Sequence, residues 1–113
     1  MSDDIHNGAL AKIVGQVKAK CRITWEDSGT DALVADGIVP SALSVIRFMV
    51  GIPDSVDFDF SEPGIEHALL LNYCYYAWHD AEDDFGKNYA ADLAFARRKW
   101  EVLNDAEQQE GTS

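Results

Sequence analysis

The stretch from Leu69 to Phe85 constrains this chain most, because only one regular structure suits it. Leu70, Tyr73, Cys74, Ala77, Trp78, Ala81 and Phe85 recur at steps of three and four. That spacing lines up on one face of an α-helix and on neither face of a strand. Leu69 and Tyr76 widen the face. Ser61 is the expected N-cap, Glu62 and Pro63 suit a first turn, and Gly86 is the expected stop. A second stripe follows from about Asn88: Tyr89, Leu93, Ala96, Trp100 and Leu103. Two apolar helices joined by so short a connection predict an αα-hairpin. Most of the aromatic residues fall in it: Tyr73, Tyr75, Tyr76, Trp78, Phe85, Tyr89, Phe95 and Trp100. They either fill the core or face a partner subunit. The polar tips of Tyr and Trp suit half-buried surfaces.

Upstream, Leu10, Ile13, Val14, Val17 and Cys21 predict a first helix over about Ile5–Lys20. The run Ile23 to Thr30 reads as an extended piece and a turn. Thr30 or Asp31 is expected to cap a second helical block. Pro40 has no amide proton and disfavours helix at Val39, so an interruption is expected near Gly37–Pro40. Helix then resumes at Ser41, turns Leu43, Ile46, Met49 and Val50 inward, and closes at Gly51 and Pro53. Asp54 to Phe60 alternates like a strand but has no partner strand, and reads as an extended loop pinned by its aromatics. The expected fold is all-α: a single domain over 1–113, a small bundle of about four helices with an extended loop before the hairpin. About 1–7 and 105–113 are expected to be flexible.

Charge narrows the function. The 113 residues hold 20 acidic and 9 basic side chains, a formal charge of -11. A phosphate-gripping surface needs clustered Lys and Arg, so nucleic-acid binding is disfavoured, as is an anionic membrane surface. No stretch approaches the roughly 20 apolar residues of a membrane span. The start, Met-Ser-Asp-Asp, is acidic where a secretory signal is basic, so a protein kept in the cytosol, or in something assembled there, is expected. Cys21 and Cys74 are far apart and are expected to act as small buried hydrophobes.

Catalytic chemistry finds little purchase. His6, His67 and His79 accompany no recognisable nucleophile motif, and no Gly-rich phosphate loop is present. Asp54, Asp57, Asp59 and Glu62 offer oxygen atoms to a hard cation, but not at EF-hand spacing. His79 and Asp83 stand four apart in a second acidic group. A solvated acidic face is the commoner meaning of such clusters. The expectation is a protein that is not an enzyme, with no catalytic residue, no metal and no cofactor. Arg97-Arg98-Lys99 suits either a solvated helix face or a salt bridge to a neighbouring subunit.

Three pieces occur in order: Cys21-Arg22-Ile23-Thr24-Trp25-Glu26-Asp27 after a helix, a middle helix ending at Gly51, and Phe58-Asp59-Phe60 leading to Leu69-Leu70-Leu71-Asn72-Tyr73-Cys74-Tyr75-Tyr76-Ala77, Asp84-Phe85 and Asn88-Tyr89. Together they resemble the small head–tail connector (adaptor, or head-completion) proteins of tailed phages and prophages, over about residues 10–103. The break at Pro40 departs from the smoother middle helix of that pattern. The resemblance implies a mainly helical virion protein, assembled in the host cytoplasm and placed at the head–tail junction. It implies a ring of about a dozen copies. The implied partners are the portal protein, a tail-side connector or stopper, and copies of itself. DNA would pass through without specific binding, and no membrane is involved. Trp25, Tyr75, Arg97, Arg98 and Trp100 are the expected protein contacts. Asp57, Asp59, Asp83 and Asp84 are the expected acidic face toward the passage. The alternative reading of the same charge is an acidic DNA mimic that occupies a nucleic-acid enzyme.

Overall fold

The computed structural model describes the backbone of residues 2–112 and the side chains of residues 8–106. The described residues form helices and connecting turns, with no strand. In chain order the helices are α1 (Ser2–Lys20), α2 (Ser28–Ala32), α3 (Val39–Val50), α4 (Ile65–Trp78), α5 (Glu82–Asn88) and α6 (Ala90–Thr112). The all-α expectation stands. Of the expected flexible ends, about 1–7 and 105–113, the side chains lie outside the described residues except those of Asp105 and Ala106, both in α6.

Helix begins at Ser28, earlier than Thr30 or Asp31, because the cap is Asp27. Its carboxylate accepts from the Thr30 amide at 2.9 Å and the Thr30 hydroxyl at 3.0 Å. The expected break at Gly37–Pro40 is absent. Residues Leu33–Ile38 form a π-helical turn that joins α2 to α3 without a gap. The Val39 amide bonds to the Val34 carbonyl, five residues back. The wider register helps the chain pass a proline that has no amide to give and that crowds the preceding turn. The uninterrupted run Ser28–Val50 is 23 residues long and holds an 18-residue window with a mean hydropathy of 1.7, enough by length and composition to cross a membrane. The sequence reading had found no stretch of that kind. Val34, Val39, Ala42, Ile46 and Val50 of this run are buried in the core.

Gly51 ends α3 as expected, in the left-handed conformation at φ 85°. The amides of Gly51 and Ile52 both bond the Arg47 carbonyl, each at 2.9 Å. The Arg47 guanidinium then reaches forward, donating to the carbonyls of Pro53 at 2.9 Å and Val56 at 2.8 Å. This pins the extended loop. Phe58 and Phe60 meet edge-to-face at 4.9 Å, and Phe58 meets Trp100 at 5.5 Å. Ser61 is not the cap of α4. Its amide and hydroxyl both bond Asp59 Oδ1, at 2.9 and 2.6 Å, and the helix starts after Gly64. A side chain already engaged in a local turn is not free to cap a helix.

The hairpin turns earlier than expected. α4 stops at Trp78, His79 and Asp80 reverse the chain with Asp80 at φ 57°, and Gly86 lies inside α5. The second arm is therefore α5 plus α6, bent at Tyr89. Leu103 was expected on the inner stripe of α6, but it is exposed. Asn104 faces α3 instead, donating to the Gly51 carbonyl at 3.2 Å.

One core gathers residues of α1 (Ile13, Val17), the long middle helix, α4 (Leu69, Leu70, Cys74), α5 (Phe85) and α6 (Ala96, Trp100). Each fully buried large side chain contributes about 1.5–3 kcal/mol. The radius of gyration is 15.2 Å, against about 13 Å for a globule of this length. The molecule is a slab of 53 × 39 × 19 Å.

Candidate interaction surfaces

α1 and α4 lie side by side and run in the same direction. At the start of α4, the Gln16 amide of α1 donates to the Ser61 carbonyl at 3.3 Å, and His67 Nε2 donates to Gln16 Oε1 at 3.0 Å. Near their ends, Lys20 Nζ sits 5.9 Å from the Tyr75 ring. The start of the middle helix packs near the end of α4, where Leu33, Gly37 and Ile38 line a groove with Tyr73 and Ala77. Its end, at Val50, leads into the loop before α4. The fold therefore has two opposite ends.

At the first end, the C-termini of α1 and α4 enclose a cleft of about 570 Å³. Lys20, Cys21, Arg22, Asn72, Tyr75, Tyr76, His79 and Tyr89 line it. Tyr75 packs edge-on against His79 at 4.6 Å, and Tyr76 against Tyr89 at 5.8 Å. Arg22 holds a left-handed backbone, φ 58°. Among the described residues, neither Lys20 nor Arg22 forms an ion pair. Burial pushes the Cys21 thiol up, only partly offset by Lys20. At the other end, the α3 terminus and the following loop carry Phe48, the most exposed large apolar side chain described, at 86%. Phe48 shares a groove with Ser44, Arg47, Gly51, Ile52, Pro53 and Asp54.

The expected contact residues divide. Trp25 is about half exposed, 6.5 Å from Trp78, with its indole bonded to the Thr30 hydroxyl at 3.3 Å. Tyr75 is exposed at the rim of the cleft. Arg97 and Arg98 are exposed on α6 and make no ion pair among the described residues. Trp100 is a correction: it is a core residue. Its indole donates to Glu66 Oε2 at 3.0 Å, and Lys99 Nζ meets the same oxygen at 2.5 Å. Burial alone would raise the Glu66 carboxyl. The bonds from Lys99 and Trp100 outweigh it and hold the group below its ordinary range.

Asp57, Asp59, Asp83 and Asp84 are all exposed, in two pairs carried by different segments. Asp57 and Asp59 precede α4, whereas Asp83 and Asp84 lie in the first turn of α5, beyond its far end. Between the two pairs in sequence runs α4, which is about 20 Å long. The Ser61 hydroxyl and amide hold Asp59 below the ordinary carboxylate range. Among the described residues, no group of three or more His, Cys, Asp or Glu side chains is arranged to hold a metal ion.

The sequence reading missed Phe48 and the cleft. Phe48 had a signal: it falls off the Ala42–Ile46–Val50 stripe. The cleft had none, because its residues come from segments about 50 positions apart that only tertiary packing joins. Leu33, Phe95 and Val102 are further exposed apolar side chains. No family model, no curated protein and no solved structure matches the chain.

Proposed function

We propose that the chain is a virion structural subunit of the head–tail connector kind. Copies stand in a ring on a portal, bridge it to a tail-side component, and surround the DNA passage. One observation carries this reading. A slab 19 Å thick leaves large apolar side chains in water on separate elements. Phe48 on α3 is 86% exposed, and Phe95 and Val102, two turns apart on α6, are 65% and 62% exposed. Aromatic side chains are enriched at protein interfaces, and Phe48 and Phe95 offer two of them to a partner. A ring subunit meets its neighbours head to tail and needs two different sticky faces, plus a third for the portal.

The charge of -11 then has a role. A ring of about a dozen copies carries on the order of a hundred negative charges, and such a lumen repels the phosphates passing through it. The exposed acids supply it, Asp83 and Asp84 among them. The proposal involves no catalysis and no cofactor.

The test is a pull-down with the full chain as bait, against purified portal protein and against a basic nuclease. Binding to the portal, unaffected by added DNA, supports the connector. Binding to the nuclease that DNA competes away, with none to the portal, replaces it with the DNA mimic.

A further inference from the structure

Against a net charge of -11, the cleft at the C-termini of α1 and α4 is a local exception. Lys20 and Arg22 stand at one side, His79 at another, and Tyr75, Tyr76 and Tyr89 form aromatic walls. Asp80 and the first-turn acids of α5, Glu82, Asp83 and Asp84, lie at the same end. They repel any extended polyanion, so a nucleic-acid strand does not suit the cleft. A single carboxylate beside an apolar ring does. Aromatic walls favour edge-to-face packing with an inserted ring, and the two cations favour one anion next to it.

The chain itself presents that pair at its other end. Phe48 projects into solvent, and Asp54 shares its groove. Arg47 lines the same groove, but its guanidinium is committed to the Pro53 and Val56 carbonyls. Phe48 and Asp54 lie at the end of α3 that leads toward the start of α4, and the cleft lies at the end of α4. One molecule cannot join them. A head-to-tail repeat can, because the contact pairs two different surfaces of identical subunits.

We infer that Phe48 and Asp54 of one copy dock in the Lys20–Arg22–Tyr75–His79 cleft of the next. This contact rests on the ring reading above and locates its subunit interface. It buries the most exposed large apolar side chain described and pairs Asp54 with two cations that form no ion pair among the described residues. It leaves Asp83 and Asp84 for the passage.

The test uses sedimentation velocity of the full chain at high concentration and low salt, with and without portal protein. Three variants are compared: Lys20→Glu with Arg22→Glu, Asp54→Lys, and all three changes together. Arg22 already holds a positive φ, so Glu there adds little strain. Circular dichroism checks that each variant is folded. Each reversed variant is expected to associate about tenfold more weakly or worse, and the combined variant to recover. Phe48→Ala, at a site too exposed to affect folding, is expected to weaken association to a similar degree. If the reversed variants associate as the wild type does, or the combined variant shows no recovery, the contact is wrong. In that case, undiminished binding of the variants to portal leaves the connector reading standing. A cleft variant that loses portal binding yet keeps self-association assigns the cleft to a foreign partner and overturns the contact. A wild-type chain that stays monomeric alone and ignores the portal overturns both.

Discussion

The Trp100 indole donates a hydrogen bond to the Glu66 carboxylate at 3.0 Å, across 34 positions of sequence, inside the core. This bond ties α6 to the first turn of α4. Lys99, on the outer edge of α6, closes over the same oxygen. Removing one partner leaves a buried charge or donor unsatisfied, which costs more than the bond itself is worth. Glu66→Gln should destabilise the fold by about 1–3 kcal/mol, measured by urea unfolding. Lys99→Ala should cost less, about 0.5–1 kcal/mol, because its side chain is partly solvated.

The same carboxylate gives a pH dependence. Glu66 sits below its ordinary value of 4.5 in the fold, so its contribution is present above that value. It is lost as pH falls through the lower, folded value. Unfolding free energy should therefore drop on acidification below about pH 4.5. Asp27 and Asp59 are shifted the same way by their Thr30 and Ser61 bonds, so Glu66→Gln should make the acid limb shallower without abolishing it. An acid limb unchanged in Glu66→Gln would show that the pair carries no linkage.

Arg47 supplies both donors that hold the loop over residues 53–56. Arg47→Ala should cost about 1–3 kcal/mol and speed amide exchange in the loop before it affects α3. Arg47→Lys should rescue only part, because an ammonium lacks the planar fork that spans two carbonyls. Equal exchange in all three proteins would mean that the loop is held by its aromatics alone.

Burial pushes the Cys74 thiol up to about 12, and Cys21 is raised as well. Reaction requires the thiolate. Cys74 should resist iodoacetamide at neutral pH and react only on unfolding, with Cys21 the slow-reacting thiol of the native chain. Mass spectrometry of trapped adducts reads this directly. Fast labelling of Cys74 in the native state would contradict its place in the core.

Much of the fold was legible in the sequence, and the failures have identifiable causes. The inner stripe of α4 and the Gly51 stop depend on local spacing and local backbone chemistry, which one sequence displays. Pro40 misled because a π-helical register absorbs what an α-helical register would not. Ser61 misled because Asp59, two residues earlier, occupied its hydroxyl. Gly86 read as a stop, but Asp80 took the left-handed turn instead. Trp100 looked like surplus aromatic surface because its partner, Glu66, was visible only as one more acid. Of the expected contact residues, Trp25, Tyr75, Arg97 and Arg98 are at the surface. The cleft and Phe48 became visible only once two ends of the fold were assembled from distant segments.

The central claim is that this chain works by repeating itself on a portal. Native mass spectrometry of the full chain mixed with purified portal protein tests it most directly. The account predicts a complex whose added mass is a fixed whole-number multiple of the chain mass, consistent with a closed ring. Portal and chain flying separately at every mixing ratio, with the chain monomeric throughout, would contradict it.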